Sequence, residues 1–417
     1  MSSRSSSEQL VEHMFRHESA NLIAGLTRVF GVRMIDVIED AVQDAMFSAL
    51  KTWRLRGVPE QPQAWLRRVA QNRMIDLLRH QRLEQQILAG KELLSESHLI
   101  AEPPWIVDEL DDNLLRLIFV CCHPGLERDS QLALCLKLLC GFGNQELGRA
   151  LLIPPETAKK RVNRAKLRLK DLELSFDLPD SHELDKRLEV VHDVLYLMFN
   201  EGYSTTRGLE AIQIDVCEDA ARLCHILCEH PLGNSASYAL LALMLFHAAR
   251  FESRVTSSGT PVLLDDQDRS SWDQDMIRVG QYWLLRSGQG TDLSRFHFEA
   301  SIAWQHCVAR SYAETNWHAI EGQYRLLNHY YPNPLHQLNR AIVLARLGRL
   351  ELALEIVRNL SQDTRLDSYP LLYCVWADLL LQLGQPDSAV QHWKTALPLV
   401  QSEHERQLIT TRISKYS

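Results

Sequence analysis

The chain holds nine cysteines but no C-x-x-C pair. Zinc sites and dithiol redox motifs are commonly built on that spacing, so its absence argues against both. Cys121 and Cys122 precede His123, and Cys217, Cys224 and Cys228 fall on one helical face, which leaves a weak metal reading. Buried free thiols are the expectation instead, because cysteine packs as a small hydrophobe. No disulfide framework is implied, and a reducing cytoplasm fits. Long hydrophobic runs are missing too. The longest, Ala239 to Phe246, is far short of the roughly 20 residues that span a bilayer. The opening MSSRSSSEQ has no apolar stretch, so neither a signal peptide nor a membrane segment is expected. G-x-x-x-x-G-K-[ST], G-x-S-x-G and H-E-x-x-H are all absent. The seventeen histidines lack ligand spacing, and Glu201, Asp265, Asp266 and Asp268 have no base or nucleophile paired with them by sequence. The expectation is a protein that is not an enzyme and uses no cofactor or metal.

A uniform charge is lacking as well. Residues 1–171 carry 24 Lys and Arg against 22 Asp and Glu, net +2, whereas residues 172–417 carry 21 against 31, net −10. The acidic second half will not seek nucleic acid by itself. With 417 residues and 46% apolar content the chain is long enough for more than one globular core. The apolar periodicity is helical throughout, which predicts an all-α fold.

The most informative stretch is Cys140 to Lys170, CGFGNQELGRALLIPPETAKKRVNRAKLRLK. It predicts a helix over 145–152 capped by Asn144, a break at Ile153–Pro154, and a second helix with Pro155 in its first turn. Ala158, Val162, Ala165 and Leu169 form one apolar stripe on that second helix. Lys159, Lys160, Arg161, Arg164, Lys166, Arg168 and Lys170 occupy its other faces, opposed by Glu156 alone. Solvated surface helices usually alternate sign, because Glu–Lys pairs four apart support them. This helix does not alternate. A helix-turn-helix with a basic second helix is the shape that enters a DNA major groove.

Residues 8–82 contain three further helical stretches. Glu12 to Phe30 is amphipathic. Asp36 to Trp53 places Val42, Ala45, Met46, Ala49 and Trp53 toward a core. Phe47 falls outside that stripe, near Asp40, Gln43, Asp44 and Lys51, which suggests either a docking surface or packing on a neighbouring helix. After the loop RLRGVPEQPQ, the segment 62–82 buries Leu66, Val69, Ala70 and Leu77. Arg68, Gln71, Asn72, Arg79 and Arg82 gather on its opposite face, a set suited to phosphates and base edges.

EDAVQDAMFSALKTW, then PQAWLRRVAQNRMIDLLRHQR, then ETAKKRVNRAKLRLK, in this order and spacing, resemble an extracytoplasmic-function (ECF) sigma factor over roughly residues 10–171. Such proteins are promoter-recognition subunits of bacterial RNA polymerase. The resemblance implies that Asp40, Gln43, Asp44 and Phe47 bind the clamp helices of core RNA polymerase. It implies that Arg67, Arg68, Asn72 and Arg79 hold the separated non-template strand at the minus-ten element of promoter DNA. Thr157, Lys159, Lys160, Arg161 and Arg164 would read or clamp the minus-thirty-five element. The implied organisation is sigma domain 2 over 8–82, a linker over 83–111, sigma domain 4 over 112–171, and a C-terminal extension over 185–417. LLRLIFVCCHP resembles the subgroup that carries such an extension, which makes His123 a helix-end residue rather than a ligand.

The extension repeats itself near its end. Pro334, Ala341, Gly348 and Ala353 recur 36 residues later as Pro370, Ala377, Gly384 and Ala389. A period near ~34 residues is that of tetratricopeptide (TPR) helical hairpins, which stack in arrays of ~3 or more. Trp317, Tyr324 and Pro332 resemble a less regular hairpin upstream. In LLDDQDRSSWDQDMI (263–277) the aspartates read either as a contact with the sigma core or as caps on the following helix, and Trp272 reads as core. The leading reading is an ECF sigma factor with a TPR-like regulatory domain that acts on its own chain or on a protein partner. The competing readings are a ligand-responsive helix-turn-helix regulator with a TPR-like sensor, and a helical scaffold with incidental basic helices.

Overall fold

The computed structural model describes residues 18–88, 110–151, 153–179, 181–203, 214–254, 256, 262–290, 292–400 and 403–416. The fold is all-α, with no strand among the described residues. No helix among them is long and apolar enough to cross a membrane. The chain divides into two compact units. The first is Met1–Gly202 with Glu218–Ile226, and the second is Tyr203–Cys217 with Leu227–Ser417.

In the first unit, α1 (residues 18–30), α2 (Ile35–Arg56) and α3 (Pro62–Leu88) build one layer. Ile38, Ala41, Val42, Ala45, Ala49 and Trp53 of α2 are buried, spaced as an amphipathic helix requires. Leu66, Ala70 and Met74 of α3 face them, and the Trp53 and Trp65 rings lie 5.6 Å apart. Val69 and Leu77, expected in the stripe, are only half-buried; Met74 takes the central place. The buried Glu18 carboxylate accepts a 2.7 Å hydrogen bond from Gln63, and burial raises its pKa. Residues 12–17 and most of the expected linker lie outside the described residues, and α3 continues past Arg82 to Leu88.

The helices α4 (Leu110–Cys121), α5 (Arg128–Leu138), α6 (Asn144–Leu151) and α7 (Pro155–Asp171) follow. The α6–α7 turn is tight. Ile153 N–H donates to the Gly148 carbonyl at 3.0 Å, and a Cβ on Gly148 would lie 2.9 Å from the Ile153 carbonyl. Pro155 opens α7 where its missing N–H costs nothing. The expected cap moves by one residue: Asn144 is already helical, and Glu146 reaches back to Gly143 N–H at 2.7 Å. His123 sits in the turn after α4 and accepts from Gly125 N–H at 3.0 Å, as a helix-end residue does. Cys121, Cys122, Cys135 and Cys140 are buried free thiols.

The first unit runs on past Asp171 into the segment expected to open the C-terminal extension. α8 (Ser181–Tyr203) buries Leu188, Val191, Val194, Leu195 and Met198. Its Arg187 donates to the Phe119 carbonyl at 2.6 Å, and its Asp193 pairs with Arg128 at 2.7 Å. Those polar ties cross the acidic turn between α7 and α8.

After α9 (Ile214–Glu229), α10 (Ser235–Ala248) of the second unit is apolar on nearly every face and packs against α11 (Gln274–Ser287) and α12 (Arg295–Val308). The loop between α10 and α11 is fastened by arginines. Arg269 donates to the His306 and Ala309 carbonyls at the end of α12, at 2.8 and 3.1 Å, and to Thr315 at 3.0 Å. Trp272 is buried, with the Arg250 and Arg269 guanidinium carbons each 5.1 Å from its ring. Of the aspartates Asp265, Asp266 and Asp268, only Asp268 acts as a cap, on the turn Arg269–Ser271; Asp265 pairs with Arg346 at 3.5 Å, and it is Asp273 that caps α11.

Next come α13 (Trp317–Tyr330), α14 (Pro334–Arg346), α15 (Leu350–Leu360), α16 (Pro370–Gln382), α17 (Pro386–Ala396) and α18 (Glu403–Tyr416). The 36-residue repeat has a direct structural meaning. Pro334 and Pro370 each start a helix; Ala341, Ala353, Ala377 and Ala389 are all buried where two helices meet; Gly348 and Gly384 both turn the chain at φ +74°. Any other residue at that φ is strained, although a Cβ would meet nothing within 4 Å. Gly348→Ala and Gly384→Ala are therefore each expected to destabilise the second unit by about 1 kcal/mol, read as a lower urea midpoint.

Candidate nucleic-acid interface

Three surfaces of the first unit carry the residues singled out from the sequence. On α2, Asp40, Gln43 and Phe47 are exposed, and Asp44 is half-buried. Phe47 is 57% exposed, with the Lys51 ammonium 4.3 Å from its ring centroid. Sequence reasoning missed its companions. Leu50, Leu55 and Val58 are also exposed, Leu55 at 86%, which makes an apolar ridge over the end of α2 and the following turn. The i, i+3 spacing of Phe47 and Leu50 was the available signal. Asp44 pairs with Arg73 of α3 at 2.5 Å, so one of the four α2 residues also braces the layer.

On α3, Arg68, Asn72 and Arg79 are exposed, and their spacing puts them within ~40° of one another around the helix. Arg79 makes a 3.8 Å contact with Asp76. Arg67 stands apart: it is half-buried on the side facing α1, where its charge favours ionisation of Glu18. The side chain of Arg82 lies outside the described residues.

On α7 the expected apolar stripe is realised, with Ala158, Val162, Ala165 and Leu169 all buried. Thr157, Lys159, Lys160 and Arg164 are exposed. Among the described residues no carboxylate pairs with the last three. Arg161 is half-buried and pairs with Asp129 at 3.2 Å. Thr157, Lys160, Arg161 and Arg164 fall on one side of the helix, whereas Lys159 is turned ~100–160° from each of them.

The sequence placed Lys166 and Lys170 with the exposed cations, and here the structure corrects it. Lys166 is only 6% exposed. It is ion-paired with Glu39 and, at 3.2 Å, with Asp36. Lys137 of α5 reaches the same Glu39 at 3.1 Å, Lys170 pairs with Asp36, and Arg33 pairs with Glu173. This cluster clasps α7 to the α1–α3 layer. Burial opposes the charge on Lys166, but Glu39 and Asp36 outweigh it and hold the ammonium above its usual pKa. Burial likewise opposes ionisation of Asp36, yet the two lysines bring its carboxyl below the usual range. Asp40, beside this cluster, is pushed up by burial and then by the neighbouring Glu39. A pattern was present: Lys166 lies four residues after Val162 and three before Leu169, on the flank of the buried stripe.

Comparison with known proteins bears on these surfaces. An uncharacterised protein of Rhizobium meliloti (strain 1021) is 33% identical over 396 residues, covering 94% of this chain and 92% of the relative. Residues 20–84 match sigma-70 region 2. This chain belongs to the same family as the Rhizobium protein, and its N-terminal layer is a sigma-70 region 2. Residues 187–288 match a family of unknown function, DUF6596. The region-2 match spans α2, α3 and the Phe47 ridge. It supports a sigma-factor-like part in promoter recognition by RNA polymerase, and the sigma-70 family is a family of non-enzymatic transcription factors.

Proposed function

We propose that the chain is an ECF-type sigma factor, with sigma domain 2 over 8–82, a linker over 83–111, sigma domain 4 over 112–171 and a TPR-like regulatory domain over 185–417. The observation that carries this reading is an aromatic side chain bare on the segment that matches sigma-70 region 2. Asp40, Gln43, Asp44 and Phe47 dock on core RNA polymerase. Arg68, Asn72 and Arg79 hold the opened strand of promoter DNA, with Arg67 at the edge of that surface. Holding an unstacked strand by phosphate contacts and base stacking offsets the unstacking that opening requires. Thr157, Lys159, Lys160, Arg161 and Arg164 engage the minus-thirty-five element, where free cations give salt-dependent affinity. The protein works in the cytoplasm, and polymerisation belongs to its partner. The 36-residue hairpins support the TPR-like assignment of the extension.

Reconstitution of the full chain with core polymerase, followed by mapping of transcript starts, tests the proposal. Promoter-specific starts are expected; their absence overturns it. Phe47→Ala is expected to weaken the complex with core polymerase at least tenfold, measured by titration, while leaving the melting temperature unchanged. Replacing Lys160 and Arg164 together by alanine is expected to lower the slope of log affinity against log salt by about 2 for duplex promoter DNA. A helix-turn-helix regulator that never joins the polymerase would keep the second effect and lack the first.

A further inference from the structure

The second unit contains a cavity of about 520 Å3 among α14, α16, α17 and α18, outside both matched families. That volume lies within the range of small-molecule sites. Its lining includes the apolar Leu371, Val375 and Leu379, and it carries Arg346, Arg412 and Lys415 against a single carboxylate, Asp378. Arg412 donates to Asp378 at 2.6 Å, and burial pushes the Asp378 carboxyl up against the pull of that guanidinium. Arg346 is shared with Asp265, at 3.5 Å, outside the lining. Lys415 has an aromatic neighbour, Tyr416, at 5.4 Å, but no carboxylate partner among the described residues. The cavity also touches Trp393, which is 0% exposed.

These features select a ligand by chemistry. With Asp378 and Asp265 set against Arg346, Arg412 and Lys415, one positive charge is left in excess, which disfavours a cation and leaves a neutral molecule beside an unmatched ammonium. A bare inorganic anion would satisfy the cations but leave the apolar lining against water. Guanidinium and ammonium groups bind carboxylates with strong charge-assisted hydrogen bonds. We propose that this cavity binds a small organic carboxylate with an apolar body, the carboxylate held by Arg346, Arg412 and Lys415 and the body against Leu371, Val375 and Leu379. The site gives the second unit a ligand function that does not depend on the sigma-factor reading.

The test is calorimetric titration of the full chain with octanoate, 3-phenylpropionate and indole-3-propionate, with acetate, octanol and inorganic phosphate as controls. At least one of the three amphipathic acids is expected to bind at millimolar concentration or below, and at least tenfold more tightly than any control. Lys415→Met should weaken that acid at least tenfold. Lys415 is exposed, so the variant should melt at the wild-type temperature, and Arg346→Met provides a second reading. The proposal is overturned if none of the three acids binds, if octanol or phosphate binds as tightly, or if both variants bind like the wild type. Because the assay contains neither polymerase nor DNA, its failure says nothing about promoter recognition, and failed transcription says nothing about the cavity.

Discussion

Lys166→Met is expected to destabilise the first unit by about 3 kcal/mol, far more than Lys159→Met on the same helix, which should change stability by less than ~0.5 kcal/mol. The two lysines look alike in the sequence and differ in what surrounds them. Lys159 is solvated, whereas Lys166 is buried between Glu39 and Asp36. Removing one member of a buried pair leaves the other charge without its compensation, which typically costs about 3–5 kcal/mol. The lower end applies because Lys137 stays beside Glu39 and Lys170 beside Asp36. The double change Lys166→Met with Glu39→Gln should recover part of the loss, because no unmatched carboxylate then remains at the centre. A double-mutant cycle on urea midpoints measures the coupling, which should exceed about 0.5 kcal/mol; additivity would show that the pair does not hold α7. Solution conditions should reproduce the effect. Lys166 contributes fully below its unfolded pKa near 10.5 and loses that contribution as pH rises through its raised folded value. Asp36 contributes above its unfolded value of 3.8 and is lost as pH falls through its lowered folded value.

The clasp also marks where sequence reading stopped. Helix positions followed from apolar spacing and proline placement. The stripe Ala158, Val162, Ala165 and Leu169 is buried as expected, and Pro155 starts its helix. The 36-residue repeat gave the two hairpins down to their left-handed glycines, because a helix that must reverse within a few residues needs glycine or something like it at the turn. What spacing could not give was the partner of each face. Glu39 reads as a surface carboxylate until Lys137 and Lys166 arrive from helices roughly 100 residues away. The extent of the first unit was hidden for the same reason. The acidic turn at 173–185 looks like a boundary, but Arg187 and Asp193 tie the next helix to residues of α4 and the start of α5.

The candidate interface was legible where it depends on exposure and obscure where it depends on neighbours. Phe47 stood out because an aromatic on a polar face has no local reason to be there. Leu50 and Leu55 did not, since an isolated aliphatic residue at a surface is ordinary. Arg67 and Arg68 are adjacent in sequence, yet a turn of ~100° puts one beside Glu18 and the other in solvent. The α7 cations divide the same way. Lys166 and Lys170 hold the layer, while Lys159, Lys160 and Arg164 stay free, so net charge on a helix overstates what it can offer to DNA.

Acidification is expected to lower the stability of both units well before the carboxylates titrate. His192, 3% exposed in the first unit, has its pKa pushed down to about 4 by burial. In the second unit His306 is pushed down to about 3, by burial first and then by the charges of Arg250 and Arg269. His306 keeps part of its surface in solvent, but its Nδ1 is sealed off without a hydrogen-bond partner among the described residues. Below pH 6.5 the unfolded chain takes up protons that the folded histidines refuse, so stability falls with pH from 6.5 toward those folded values and is flat above 6.5. At 1.36 kcal/mol per pH unit, His192 alone costs about 2 kcal/mol by pH 5 and about 3 kcal/mol by pH 4. In a domain of ~200 residues, 2 kcal/mol lowers the melting temperature by roughly 4–8 °C. Calorimetry at pH 7 and pH 5 should show that drop for the transition of the first unit, and His192→Leu should remove most of it. His306→Leu should remove only part of the drop in the second unit, because burial pushes His247 there down to about 3 as well, and should leave the first unchanged. The mechanism predicts this selectivity, because each imidazole is excluded from charge by its own surroundings. An equal acid sensitivity in all three proteins would assign the loss to carboxylates instead.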